Sequence, residues 1–400
     1  MNPFNQDLSL KPLQERKTIL AANANFPFDL QIGAYLAAAS LEGGSPIIVQ
    51  FSGQALEVAG RGLGVRGMSR VEALKLGARL ARETSDVFAE VYRPPFVALG
   101  LDHFAIPYSG SDVGQENHAS RGCDGSGPGK GALPSVPVPS RAQIRALLDE
   151  AIQAACQAGV LLPTKEEVLR WEDYMLSPIY REAVTGFCAA VEELRPAWAM
   201  IDTGEMPAVL NFAVTKEVRD ILAARGYDAV IEAEYGATGQ AGHSEEYVKL
   251  DREELFAFAR CVAGFVKYTG ARGISYPIGM EHAAPAAVKH DPDTERLETV
   301  QREILRVTGV YVPFAQHGGT GAKEVERGLV GKNNINTYFL VTQAQYLLGH
   351  VLDNRKAIEE GRKAACSSDV YIRTARRVME AVVEKLKECG TYGIWPDIAA

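Results

Sequence analysis

Three of the chain's seven histidines, His103, His282 and His317, stand where short apolar runs end. A glutamate, Glu234, closes a fourth such run. Imidazole nitrogens with one carboxylate oxygen suit zinc, and a catalytic zinc keeps one position open for substrate. The sequence has no HExxH, so one helix cannot supply the ligands and each must come from a separate strand. Taken singly, His103 or His317 reads more readily as a hydrogen-bonded core histidine than as a ligand. The repeated placement at run ends points to a metal. Asp102 precedes His103 directly, a carboxylate placed for proton transfer. Asn23, Ser52, Asp202, Asn334 and Asn336 fall at or near the ends of further runs. His118, His243, His290 and His350 read as loop or helix residues.

The segment His317-Gly318-Gly319-Thr320-Gly321 follows an apolar run. Its small residues allow backbone N–H groups to approach an anion, and a helix is expected to begin near Ala322 with its N-terminus facing that anion. The alternative is an ordinary tight turn. His317 and the nearby Asn334-Ile335-Asn336-Thr337 favour a phosphate site.

These residues need a scaffold that brings distant strand ends together. Candidate strands occupy residues 18–22, 46–51, 96–101, 199–201, 229–234, 273–278, 310–315 and 333–336. Amphipathic segments lie between most of them, at 30–41, 69–83, 216–225, 252–268, 293–307 and 338–352. Eight βα units with nearly continuous apolar strands predict a closed (β/α)8 barrel, whose strand C-termini converge on one mouth. An open doubly wound sheet would show a Gly-rich turn after its first strand, and Ala21-Ala22-Asn23-Ala24-Asn25 is not one. The whole chain, 1–400, reads as one domain. Residues 106–196 form an insertion after the third strand: a Gly/Ser/Pro-rich loop, then helical patterns at 141–158 and 165–194. At a barrel's catalytic face this predicts a lid or an interface element, against the alternative of surface decoration.

Composition removes several classes of function. With 42 Lys and Arg against 50 Asp and Glu, the net charge is −8 and no basic stripe exists for nucleic acid. No run of 18 apolar residues predicts a membrane span, and the first residues lack a signal peptide's apolar core. Six cysteines without CxxC spacing read as reduced thiols of a cytoplasmic protein.

Eight segments together resemble the class II fructose-bisphosphate aldolase family. They are AANAN (21–25), SPIIVQFS (45–52), LGLDHF (99–104), MIDTG (200–204), EAEYGATG (232–239), GMEHA (279–283), AQHGGTG (315–321) and NNINT (333–337). The resemblance implies a (β/α)8 aldolase of carbohydrate metabolism acting on a phosphorylated ketose, with zinc and a monovalent cation, as a homodimer or homotetramer. It implies that His103, His282 and His317 bind zinc, with Glu234 as a further ligand. It gives Asp102 the acid/base role and puts Asn334 near the reacting carbons. Gly318, Thr320 and Thr337 match the ketone-side phosphate pocket, and Asn336 belongs to the same segment. Asn23 and Ser52 match residues that hold the substrate chain.

Three departures bear on substrate. The family's acidic pair on the loop after EAEYGATG is displaced here, so Glu245 and Glu246 are its substitutes. Ala283 replaces a glycine beside the phosphate and monovalent-cation sites. Arg373 is the candidate for the arginine that takes the far phosphate. Fructose 1,6-bisphosphate is the family's usual substrate; another ketose phosphate or acyclic sugar remains open. The rival readings are a metal-dependent barrel isomerase or epimerase and a metal-binding barrel without catalysis. Asp102 beside His103 favours the aldolase.

Overall fold

The computed structural model describes residues 15–62, 67–92, 97–108, 136–227, 229–236, 247–281, 291–322 and 325–394. Eight parallel strands close into a barrel in sequence order. They are β1 (Ile19–Asn23), β2 (Ile47–Ser52), β3 (Val97–Ala105), β4 (Trp198–Asp202), β5 (Val230–Glu234), β6 (Gly273–Ser275), β7 (Phe314–Gln316) and β8 (Val330–Ile335). The barrel closes where Ile19 pairs with Lys332 and Ala22 with Ile335.

Side chains alternate along each strand, and the alternation separates two cores. Leu20, Ala22, Val49, Phe51, Leu99, Leu101, Ile201 and Ala233 join the large core shared with the helices. Ile19, Ala21, Ile48, Ala98, Trp198, Val230 and Ala315 form a separate apolar cluster within the barrel. Trp198 helps fill that interior: a Cβ added at Gly273 would lie 2.6 Å from its indole ring. Two residues further along β1, β2 and β5 the pattern turns polar at Asn23, Gln50 and Glu232, and Lys332 of β8 joins them, all four buried. An apolar floor thus supports a polar storey, and the candidate chemistry sits above both.

Outside lie α1 (Leu30–Ala37, continued by a π-helical turn), α2 (Gly53–Gly60), α3 (Arg70–Tyr92), α4 (Arg141–Ala158), α5 (Lys165–Leu176) and α6 (Pro178–Leu194). After them come α7 (Ala208–Ala224), α8 (Arg252–Thr269), α9 (Thr294–Thr308), α10 (Thr337–Asp353), α11 (Arg355–Glu359) and α12 (Asp369–Glu388). Capping boxes start α4 (Ser140 with Gln143), α5 (Thr164 with Glu167) and α8 (Asp251 with Glu254), each satisfying two otherwise unpaired N–H groups. Among the described residues, no helix is long and apolar enough to cross a membrane.

Within the insertion, α6 packs along α3 and β3, while α4 lies against α7 and α8. The root of the preceding loop is tied down. Ile106 N–H donates to the Asp202 carbonyl at 3.1 Å. The Tyr174 hydroxyl donates to the Pro107 carbonyl at 2.6 Å, and Trp171 Nε1 to the Tyr108 hydroxyl at 3.3 Å. Asp112, Glu116, His118 and Arg121 of that loop lie outside the described residues.

Three expectations need correction. The helical pattern at 165–194 is two helices, because Pro178 ends one and opens the next, with Ser177 accepting from Tyr180 N–H. Residues 325–329 are not helical but turn directly into β8, so no helix starts from the Gly318–Gly321 segment among the described residues. Asn336 is not in β8; it stands at the N-cap position of α10, without a side-chain capping bond.

Candidate active site

The site begins with a break in β3. Adjacent strand residues normally point to opposite faces. The β3–β4 register shifts between Leu101 and Phe104, and His103 has φ of 41°. A left-handed backbone costs a non-glycine residue about 1–2 kcal/mol. Here the shift turns His103 toward the same barrel mouth as Asp102.

His103 Nε2 lies 2.9 Å from His317 Nδ1, with the rings edge to face. Each ring's other nitrogen meets a carboxylate. Asp202 Oδ2 is 3.2 Å from His103 Nδ1, and Glu232 Oε1 is 2.8 Å from His317 Nε2. Carboxylates accept, so those two nitrogens carry the ring protons and the facing pair present lone pairs. Two lone pairs at that separation repel unless a cation stands between them. The donor set therefore fits a metal ion such as zinc. Ligand atoms of Asp102, His103 and His317 lie within 4.8 Å of one another.

Asp102 differs from the histidines in its partners. Asn23 Nδ2 donates to its Oδ2 at 2.7 Å, and Asn334 Nδ2 to its Oδ1 at 3.0 Å. Asn23 is in turn oriented by Gln50 Nε2, while the Tyr35 hydroxyl donates to its carbonyl. A carboxylate has about four lone-pair positions. Two here receive amides, and the others remain for a mobile proton.

The electrostatics follow from these contacts. Burial opposes charge on His103, but Asp102, the hydrogen bond to Asp202 and Glu234 outweigh it and lift its pKa to about 9. Burial pushes His317 down further than Glu232 raises it, and the charge on His103 adds to the fall. Burial tends to raise Asp202, yet hydrogen bonds with His103 and Glu234 bring it to about 2. Glu232 is held well below the usual carboxylate range: burial opposes this, but Lys332 and His317 outweigh it. Glu234, at the end of β5, is buried and its carbonyl accepts from Asn211 Nδ2.

The other expected residues divide into groups. Ser52 caps α2 by accepting from Ala55 N–H, and Asn336 accepts from Asn25 Nδ2 at 3.2 Å. Thr320 Oγ1 accepts from Tyr338 N–H at 3.2 Å, tying the turn after β7 to the first turn of α10, which begins at Thr337. Gly318 and Gly319 have packing reasons to be glycine. A Cβ on the first, at φ 69°, would lie 2.5 Å from the Glu281 carbonyl, and one on the second 2.1 Å from Asn333 Oδ1. Arg373 is exposed on α12 and paired with Asp369. His282, Glu245 and Glu246 lie outside the described residues, although Glu281, next to His282, abuts Gly318.

Sequence reasoning missed Glu232 and Lys332 altogether and gave Asp202 no role. The signal was spacing by two. Glu232 precedes Glu234 on the inner face of β5, and Lys332 precedes Asn334 on that of β8. A charged residue in a buried strand, two positions before a candidate site residue, marks an inward-facing support. Lys332 is not a free amine: its Nζ is 2.6 Å from Glu232 Oε2.

A parallel barrel with paired imidazoles and an amide-clamped aspartate at one mouth defines a metal-assisted barrel enzyme. The sequence model of the family "Fructose-bisphosphate aldolase class-II" matches residues 187–393, just over half the chain. The protein belongs to that family and is accordingly an aldolase, a carbon–carbon lyase of the metal-dependent class. The fold is similar to that of fructose-bisphosphate aldolase (Fba) from Campylobacter jejuni, with TM-score 0.59 and 18% identity over 97% of this chain and 93% of that one. The YdjI aldolase from Escherichia coli K12 aligns at TM-score 0.48 and 15% identity, over 97% of both chains. A comparison with curated proteins gives no match.

Proposed function

We propose that the protein is a zinc-dependent aldolase that reversibly cleaves a phosphorylated ketose, with fructose 1,6-bisphosphate as first candidate, to dihydroxyacetone phosphate and an aldehyde. The observation that carries this is the facing pair His103 Nε2 and His317 Nδ1 beside Asp102. In this reading His103, His282 and His317 hold the zinc, with Glu234 as a further ligand. The contact of Glu281 with Gly318 supports bringing His282 to His317. Zinc there supplies a Lewis acid that stabilises the negative charge of the enediolate formed beside the ketone. A monovalent cation is a second candidate cofactor.

Asp102 takes the proton from the hydroxyl of the aldehyde-forming carbon during cleavage and returns it during condensation. Its clamp of two amides fixes the carboxylate's direction, which is where a positioned base gains its advantage. Asn334 Oδ1 is buried without a hydrogen-bond partner among the described residues, while its amide nitrogen is held by Asp102. That oxygen is ready to accept from a substrate hydroxyl. Gly318, Thr320 and Thr337 take the ketone-side phosphate at the N-terminus of α10, with Asn336 at its cap. Loops after strands 7 and 8 are where barrels commonly hold phosphate. Asn23 and Ser52 hold the substrate chain, Arg373 takes the far phosphate, and Glu245 or Glu246 handles the enediolate proton.

The chain functions as one cytoplasmic barrel domain, 1–400, with 106–196 as an insertion that shapes substrate choice. It assembles as a homo-oligomer, supported by α10. That 17-residue helix buries only Phe339 and carries one formally charged residue, Asp353. The decisive experiment is a screen of phosphoketoses with a coupled triose assay, before and after chelation and with zinc restored. Full activity in thoroughly chelated protein would overturn the zinc reading; no cleavage of any phosphoketose would overturn the substrate class.

A further inference from the structure

Directly below the histidine pair, four fully buried side chains from four strands meet inside the barrel: Gln50, Trp198, Glu232 and Lys332. Lys332 Nζ lies 2.6 Å from Glu232 Oε2, 3.4 Å from Gln50 Oε1 and 4.0 Å from Asp102 Oδ1, and sits 5.1 Å above the Trp198 ring centroid. Trp198 Nε1 also donates to Glu232 Oε2. Two donors therefore fix one carboxylate oxygen and leave the other, Oε1, aimed at His317 Nε2. An ion pair so deep gives little net stability, because desolvation of both charges offsets their attraction. Its position suggests a different use.

We propose that Lys332 and Glu232 form a buried positioning pair that fixes the tautomer and aim of His317, presenting Nδ1 to the metal. The inference rests on the zinc reading above. A carboxylate at Nε2 accepts the ring proton there, which makes Nδ1 the unprotonated nitrogen, facing His103 Nε2 at 2.9 Å and Asn334 Nδ2 at 3.4 Å. Lys332 keeps Glu232 in that acceptor role where no water can. Because the same ammonium also faces Asp102 Oδ1, one cation supports both the metal ligand and the candidate base. Lys332 touches neither substrate nor metal in this scheme and acts through its two carboxylate neighbours.

Four variants test this: Glu232→Gln, Lys332→Met, Lys332→Arg and the double Glu232→Gln/Lys332→Met, which removes both charges together and so leaves no unpaired ion. Purified protein is measured for thermal midpoint, for zinc affinity by chelator competition and for the visible spectrum of the cobalt-substituted form. The expected result is zinc binding weakened about 10–100-fold in folded Glu232→Gln, Lys332→Met and the double variant. Their cobalt spectra should be altered, and Lys332→Arg should restore part of the affinity. A purely structural pair would lower the thermal midpoint and leave affinity and spectrum as in the wild type. That outcome in any folded charge-removing variant overturns the proposal. Should the single variants fail to fold, the double variant alone decides. Wild-type protein that holds no zinc overturns the parent reading and this inference with it, whereas tight wild-type binding that the variants share overturns only the inference.

Discussion

Nε2 of His103 and Nδ1 of His317 face one another at 2.9 Å, with Asp202 behind the first ring and Glu232 behind the second. In metal-free protein Asp102, Asp202 and Glu234 outweigh burial and lift the His103 pKa to about 9, and the proton held there can be shared with His317 across the gap. Zinc must displace that proton. Titrating zinc into chelated protein at pH 7 in buffers of different ionisation enthalpy should show release of about one proton per chain. The sign for stability follows. The folded pKa of His103 lies above its unfolded value, so its contribution is complete below about pH 6.5 and is lost as pH rises through 9. The thermal midpoint of metal-free protein should therefore fall between pH 7 and 9.5 more than that of zinc-loaded protein. Equal slopes would remove the shared proton from the account.

Asp102 lies within reach of the metal-facing atoms, yet both its oxygens accept amides from Asn23 and Asn334. A residue held that way moves protons better than it binds metal. Asp102→Ala should keep its zinc and lose about 10²–10⁴ in kcat, the range for a positioned acid or base. Loss of zinc measured on the same preparation would make Asp102 a ligand instead.

Asn334 connects the base to the candidate substrate. Its amide nitrogen donates to Asp102, and its Oδ1 is buried without a hydrogen-bond partner among the described residues. A hydrogen bond to a charged group is worth about 1.5–3 kcal/mol. Asn334→Ala should accordingly lower kcat/KM by about 10–100-fold, with zinc content unchanged. Steady-state kinetics beside metal analysis checks this, and an unaltered kcat/KM removes Asn334 from the site.

Gly318 offers a route to His282. At φ 69° an alanine is strained, and its Cβ would come 2.5 Å from the Glu281 carbonyl. Gly318→Ala should destabilise the fold by about 1–3 kcal/mol. It should also weaken zinc binding by moving the backbone beside His282. Denaturant unfolding separates the two effects when run with and without metal. A variant that is merely less stable, with zinc affinity intact, would detach the Glu281 contact from the metal site.

The barrel was legible because parallel strands are buried on both faces and read as short apolar runs. Seven of the eight expected segments overlap their strands by at least three residues, from 18–22 against Ile19–Asn23 to 333–336 against Val330–Ile335. Polar residues at run ends marked Asp102, His103 and His317 for the same reason. Glu232 and Lys332 escaped because each is an ion inside an apolar run, and only the closed barrel brings β5 against β8 across its interior. The left-handed backbone of His103 has no sequence signature either, since it is uncommon for every non-glycine residue, even for histidine, which is enriched there. The helix expected after Gly321 failed differently. Small residues before an expected helix suggested its start, but residues 325–329 turn into β8 instead; Gly318 and Gly319 also have a packing reason to be small, since they clear Glu281 and Asn333.

The surface of α10 supplies the last prediction. A helix at the edge of a monomer keeps polar residues outward. Here Leu340, Leu348, Val351 and Leu352 are 42–63% exposed, and the adjoining α12 exposes Tyr371 and Ile372. Exposed apolar residues on two packed helices fit the proposed homo-oligomer, in which a second copy of the chain would supply a matching surface through a twofold axis. The wild-type protein should sediment as a dimer or larger. Leu348→Glu/Leu352→Glu places two buried charges per chain in such an interface and should shift the species toward monomer at micromolar concentration. Zinc content should not change, since neither residue approaches the histidine pair in sequence or through a shared element. Arg373 lies one residue beyond Ile372, so the same variant also asks whether substrate binding depends on assembly: KM for a bisphosphate should rise more than KM for a monophosphate. An unchanged sedimentation coefficient in the double variant would mean that α10 is not the interface.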